Sequence, residues 1–229
     1  MNTIELLGKK ALSVAFAHDY YAWAEEQLKY EHNSLALQRL ADEWTIQQLS
    51  ADEIEDFFQQ ALNDLAKSEP GERQVLFDYA EYLCTQILDN KLMPKAGISL
   101  LEDFVSLRDR YPLFSVWSFL CIDIWSPHTE DQIYVNTGLT SENSDAYIRD
   151  ICRQFITLLH TDLPEDFFTK RLCVECLNRY APPTAEKYSE EEARPNAAQC
   201  PHCQSEQTFS MNDYLGRKHH LEHTAAIAH

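Results

Sequence analysis

The sequence predicts an all-α helical domain over residues 1–162, followed by a small cysteine-bearing segment over residues 163–229. Three observations lead there. Apolar residues recur at helical spacing through the first 160 positions. The 229-residue chain holds only 5 glycines, and two Cys-x-x-Cys pairs lie near its end. Scarce glycine works against folds built from tight hairpins and against loops that cradle phosphate, because both need backbone conformations that glycine adopts most freely. A chain of this length, 45% hydrophobic, is long enough to bury a real core.

The helices follow one another closely. Between Ser13 and Tyr30, the residues Val14, Ala17, Tyr21, Ala24 and Leu28 share one stripe, which predicts a first helix. A second is expected from Ser34, with Leu35, Leu37, Leu40 and Trp44 on its apolar side. Ser50 and Glu53 make a capping box, in which each side chain satisfies the other residue's free amide. Behind it, Ile54, Phe57, Phe58, Ala61, Leu62 and Leu65 keep the i, i+3, i+4, i+7 rhythm. Ser68-Glu69-Pro70-Gly71 interrupts the chain, and helical pattern resumes from Val75 to Leu88. Pro94 opens the next helix, which carries Ile98, Leu101, Phe104 and Val105 and ends at Tyr111-Pro112. Leu113 to Trp125 is apolar on nearly every side, the pattern of a central buried helix. Ser126 to Asn143 reads as a long irregular connection, in which residues 132–135 suit a short extended piece, before helix returns from Ser144 to Leu159. Past Leu163-Pro164 come the first cysteine pair, a polar loop over Glu186–Pro195, the second pair, and a final helix from Asn212 toward Ala226.

Cys173-Val174-Glu175-Cys176 and Cys200-Pro201-His202-Cys203 carry the clearest chemistry. Two residues between cysteines let both sulfurs face one ion with backbone amides turned toward the thiolates, and two such turns complete a tetrahedron. The expected ion is Zn²⁺. Four sulfurs fill its shell and leave no place for an activated water, so the zinc is expected to be structural. Over residues 167–210 the segment resembles a zinc ribbon. A thioredoxin-like redox pair is the competing reading of Cys-x-x-Cys, but no βαβ pattern accompanies these two. A nuclease of the His-Asn-His type would place its catalytic histidine between the pairs, and residues 177–199 contain none.

Other candidates are weaker. His219 and His223 fall on one helical face, but without the glutamate of a His-Glu-x-x-His zinc motif. His202, between two cysteines, reads as a turn side chain. Cys84, Cys121 and Cys152 lie among apolar helix residues, where they act as small hydrophobes. His18 and Asp19 are adjacent and point apart on a helix. No nucleophile elbow, phosphate loop or dinucleotide fingerprint occurs, so no catalytic site is expected.

Charge narrows the partners. Nineteen Lys and Arg against 37 Asp and Glu give a formal net charge of −18. Such a chain repels nucleic acid and anionic membranes at long range and attracts basic proteins, although the same charge also serves solubility. The longest apolar stretch is too short and too interrupted to span a bilayer, and no secretory signal opens the chain, so a cytoplasmic protein is expected. Between Asp42 and Asp64 there are seven carboxylates and no Lys or Arg. Residues 126–145 form a second acidic stretch.

Two segments resemble immunity proteins of bacterial polymorphic-toxin and contact-dependent inhibition systems. The first is Ala17-His18-Asp19-Tyr20-Tyr21-Ala22-Trp23-Ala24-Glu25, with Asn33-Ser34-Leu35-Ala36-Leu37-Gln38-Arg39-Leu40-Ala41 downstream of it. The second is Ile87-Leu88-Asp89-Asn90-Lys91-Leu92-Met93-Pro94-Lys95-Ala96-Gly97. The resemblance implies a non-enzymatic antidote that binds and blocks a toxin domain, often a basic nuclease. Asp52, Glu55, Asp56 and Glu130 are then the candidate contacts. The alternative is a zinc-ribbon adaptor in transcription or translation, for which Lys170, Arg171, Arg179, Arg217 and Lys218 are available.

Overall fold

The structure is a computed structural model that describes residues 1–30, 34–125, 136–182 and 199–227. It is mostly helical, with one small sheet of three strands. Contacts divide the chain into two compact units, Met1–Leu83 and Cys84–His229. The division falls inside a helix, and the segment from residue 163 packs within the second unit together with the helices from Pro94 onward.

The first unit opens with α1 (Thr3–Ala11), capped by Asn2, whose side chain accepts the Glu5 amide. Sequence periodicity began the first helix at Ser13; instead the chain turns there, with Ser13 at φ 58°, and α2 spans Ala17–Leu28. Asp19 fixes that restart. Its buried carboxylate accepts the Phe16 amide at 2.9 Å and pairs with Lys9 at 2.8 Å. Gly8 lets α1 press on α6 (Glu72–Leu88), because a Cβ on Gly8 would lie 2.0 Å from the Tyr79 ring.

The helix expected from Ser34 through Trp44 is in fact two short ones, α3 (Leu35–Leu40) and α4 (Glu43–Ile46). Asp42 splits them by taking the Thr45 amide at 2.6 Å as a new N-cap. The break swings Trp44 off the apolar stripe: it is 74% exposed, and Leu35 is exposed as well, while Leu37 and Leu40 are buried. α5 (Ala51–Asp64) starts at the expected capping box, with Ser50 N donating to Glu53 at 2.8 Å and Glu53 N to Ser50 at 3.3 Å. It buries Ile54, Phe58, Ala61 and Leu62. Trp23 closes the core of this unit edge-on to Phe58 at 4.9 Å, and its indole N–H donates to Thr3.

Lys10 sits among Glu55, Glu69 and Gln59, joining α1, α5 and the turn before α6. Burial raises the Glu55 carboxyl, but the hydrogen bonds from Lys10 and Gln59 and the Lys10 charge outweigh it and hold the pKa below its usual value. A lowered folded pKa means that this stabilisation is present above the unfolded-state pKa and is lost as pH falls through the folded one. Lys10→Met is therefore expected to lower unfolding free energy at pH 7 by on the order of 1 kcal/mol, discounted for partial exposure. In urea titrations the difference should vanish near pH 2, where Glu55 is protonated.

In the second unit α7 (Pro94–Leu101) begins at its proline as expected. It then tightens into a 3₁₀ stretch, Glu102–Leu107, instead of running as one α-helix to Tyr111. α8 (Ser115–Trp125) is buried at Val116, Trp117, Leu120, Cys121 and Asp123, but Ile122 and Trp125 face solvent, so it is not enclosed on all sides. α9 (Ser144–Leu159) supplies Ile148, Ile151, Cys152 and Phe155, and Phe155 packs on Trp117 at 5.1 Å and on Phe114 at 6.2 Å. The expected extended piece at 132–135 and the loop over Glu186–Pro195 lie outside the described residues. Strands β1 (Arg171–Cys173), β2 (Arg179–Tyr180) and β3 (Thr208–Ser210) form an antiparallel sheet in the order β2-β1-β3, and α10 (Tyr214–Ile227) follows.

Candidate metal centre

The sheet exists to bring two turns together. Cys173 ends β1 and pairs with Thr208 of β3, and Val174 N donates to Gln207 O at 3.0 Å, so the strand leaving the second turn lies along the first. The turns repeat one backbone pattern. Leu177 N donates to Cys173 O at 2.9 Å and Gln204 N to Cys200 O at 2.9 Å. In the reverse direction, Cys173 N donates to Asn178 O and Cys200 N to Ser205 O. Each turn is closed by a residue in the left-handed region, Leu177 at φ 59° and Gln204 at φ 63°. Neither is glycine, so each costs roughly 1–2 kcal/mol in local strain.

The four sulfurs of Cys173, Cys176, Cys200 and Cys203 all lie within 4.8 Å of one another. The nearest pairs cross between turns: Cys173 to Cys203 at 3.5 Å and Cys176 to Cys200 at 3.6 Å. Four thiolates at about 2.3 Å from one zinc in a tetrahedron stand about 3.8 Å apart, so the cage has the right size for that ion. Backbone amides point at the sulfurs: Asn178 at Cys176, Ser205 at Cys203, and His202 and Cys203 at Cys200. Burial raises the Cys200 thiol, but these amides and the thiols of Cys176 and Cys173 outweigh it, holding its pKa at about 7. The Asn178 amide lowers Cys176; burial and its three sulfur neighbours drive it the other way, to about 12. Amides that stabilise thiolate are what a metal–sulfur centre requires. The cluster could hold a metal ion, and its donors are sulfur throughout.

Cys173 and Cys200 are fully buried while Cys203 is exposed. Their hydrophobic surroundings are slight: Cys173, Cys200 and Tyr180 form a cluster of their own, with Cys176 against it. Because the left-handed turn residues carry the geometry, Gln204→Val is expected to weaken metal affinity about tenfold and Gln204→Gly to leave it intact or improved. Competition against a chromophoric chelator measures both.

The segment is tied to the helices of its unit by polar contacts that periodicity does not reveal. Arg217 on α10 is 1% exposed, donates to Gln154 of α9 at 3.1 Å and to the Asn212 carbonyl, and lies beside Asp213. Desolvation lowers its pKa to about 10, leaving it charged at neutral pH. Tyr214 donates to Asp150 at 2.5 Å and Ser115 to Asn212 at 2.7 Å. His220 is buried edge-on to Phe167 at 5.1 Å, and burial, with the charges of Arg179 and His223, lowers its pKa. His219 lies 3.6 Å from Glu222, and His202 is exposed. Among the described residues, the four cysteines are the one group of three or more His, Cys, Asp or Glu placed to share an ion. Cys84, Cys121 and Cys152 are buried, and burial pushes the Cys121 thiol to about 12.

The candidate contact residues divide. Asp52 and Asp56 are exposed and have no cationic partner among the described residues. Glu55 is not free for docking, because Lys10, Tyr20 and Gln59 occupy its carboxylate. Its counter-ion comes from 45 positions away, where no local pattern could show it. Glu130 lies outside the described residues. Of the basic residues of the segment, Arg217 is buried, Arg171 is spent on Thr208, and Lys170 pairs with Asp166 at 2.9 Å. No helix among the described residues is long and apolar enough to cross a membrane. Comparison of the chain with protein-family models, with curated proteins and with solved structures finds no match.

Proposed function

We propose that the protein is a toxin-neutralising immunity protein. In this reading it binds a cationic, nuclease-type toxin domain through an acidic helical surface and carries one structural zinc ion on Cys173, Cys176, Cys200 and Cys203. The observation that carries the binding half is the run from Asp42 to Asp64. It contains no Lys or Arg, and it presents Glu43, Asp52 and Asp56 exposed and without cationic partners among the described residues. Carboxylates left unneutralised within the fold raise the association rate with a basic protein, and they mimic the phosphates that a nuclease site is built to attract. Occlusion needs no chemistry from the antidote, which agrees with a metal shell made entirely of sulfur. The reducing cytoplasm keeps such thiols available for zinc.

The adaptor reading needs basic side chains on the ribbon; Arg217, Arg171, Lys170 and Lys218 are already engaged, which leaves Arg179 exposed. Capture with the tagged, zinc-loaded protein from native lysate separates the two. The expected result is one tight basic partner whose nuclease activity is blocked on binding. The expected affinity loss for Asp52→Lys/Asp56→Lys is at least tenfold. Recovery of transcription or translation components instead would overturn the immunity reading.

A further inference from the structure

Solvent reaches the four metal-site cysteines unevenly. Cys203 is exposed and Cys176 is half-buried, whereas Cys173 and Cys200 are fully buried. The sulfur contacts that cross between the turns join one of each kind: Cys203 meets Cys173 at 3.5 Å, and Cys176 meets Cys200 at 3.6 Å. Each accessible sulfur therefore faces a shielded one from the other turn. The backbone keeps them opposite, because Cys173 pairs with Thr208 and Val174 N donates to Gln207 O. A disulfide is about 2.05 Å long, so each sulfur has to move by less than about 1 Å to form one. Cys84, Cys121 and Cys152 are buried on α6, α8 and α9.

We propose that Cys203 is an oxidation site, and that peroxide converts the metal centre into two disulfides crossing between the turns, Cys173–Cys203 and Cys176–Cys200. Access selects the first sulfur to react. The Cys203 thiolate attacks the O–O bond of hydrogen peroxide, becomes a sulfenic acid and expels hydroxide. The Cys173 thiolate then attacks the Cys203 sulfur; the S–S bond forms and the sulfenic oxygen leaves as a second hydroxide. Two electrons pass from the two sulfurs to one peroxide, and two protons turn both hydroxides into water. Cys176 and Cys200 repeat the exchange with a second peroxide. Sulfurs bonded to each other no longer hold a metal ion, so the ion is set free. Both bonds tie one turn to the other, across 30 and 24 positions, and so take over the ion's structural role. Oxidation thus empties the centre without untying the sheet, which bonds formed within each Cys-x-x-Cys would not do. This rests on the four-sulfur zinc reading above and is independent of the partner's identity.

The test treats the full-length zinc-loaded protein with hydrogen peroxide. Zinc release is followed with a chromophoric chelator, and disulfides are mapped by mass spectrometry after free thiols are blocked. About two equivalents should release one zinc per chain, with Cys173–Cys203 formed first and Cys84, Cys121 and Cys152 still free. Hydrogen exchange over residues 171–180 and 199–211 should stay slow after that release, and should approach unfolded rates only when dithiothreitol is added beside the chelator. Disulfides within the turns, Cys173–Cys176 and Cys200–Cys203, would overturn the inference, as would protection lost together with the zinc. Failure of the zinc reading looks different. If the protein holds no zinc before peroxide is added, that reading falls and the inference with it; if zinc is present but the crossing bonds do not form, only the oxidation site is wrong.

Discussion

Stripping the metal with a high-affinity chelator is expected to bring amide exchange in residues 171–180 and 199–211 close to unfolded rates. Three strands of three, two and three residues cannot hold themselves together. Their private hydrophobic cluster contains Tyr180 and otherwise only metal-site cysteines. Leu172 of the sheet and Met211 beside it are buried, but the two turns themselves bury little beyond their cysteines. Most of the free energy that orders the turns is therefore expected to come from a bound ion; structural zinc supplies about 10–16 kcal/mol at neutral pH. Cys173→Ser should reproduce the effect without a chelator, since three sulfurs no longer close the shell. Hydrogen exchange read by mass spectrometry checks both. Protection that survives metal removal would mean that packing on α9 and α10 orders the segment by itself.

Gly216→Ala is expected to be the most damaging single methyl in the chain. An added Cβ would lie 1.9 Å from the Ser210 carbonyl oxygen and 2.7 Å from its carbon. Those atoms are backbone, and Ser210 is paired to Arg171 across the sheet, so the clash cannot be relieved by a rotamer change. Overpacking against fixed backbone costs about 3 kcal/mol or more, and either α10 or β3 must shift. Gly71→Ala is the control, because nothing lies within 4 Å of the added atom. Thermal unfolding followed by circular dichroism should show a large drop for the first variant and none for the second. Equal midpoints would refute the close approach of α10 to the sheet.

What the sequence disclosed depended on how local the cause was. The Ser50–Glu53 box, the Pro94 start and the four cysteines each declare themselves within a few residues, and the structure places all three as their spacing implies. Helix α1 precedes the first helix that periodicity predicts, and its Gly8 is glycine for the sake of Tyr79, 71 positions on. Trp44 matched the apolar stripe of an uninterrupted helix; only the Asp42 cap, which restarts the chain, reverses its environment. Glu55 looked like part of a solvated acidic face because its cation, Lys10, comes from another helix. Arg217 looked like a surface base and is buried against Gln154. For Gly8, Glu55 and Arg217 a partner distant in sequence decided the outcome, and periodicity carries no information about such partners; the Asp42 cap that turns Trp44 outward is local and competes with the apolar stripe instead.

The central claim is a metal shell made of four sulfurs and nothing else. Elemental analysis of the purified protein, combined with X-ray absorption at the zinc edge, tests it in one experiment. The account predicts one zinc per chain with four sulfur neighbours at about 2.3 Å and no nitrogen or oxygen scatterer. A chain that stays folded over 171–182 and 199–211 with reduced thiols and no bound metal, or a shell containing a histidine or water ligand, would contradict it.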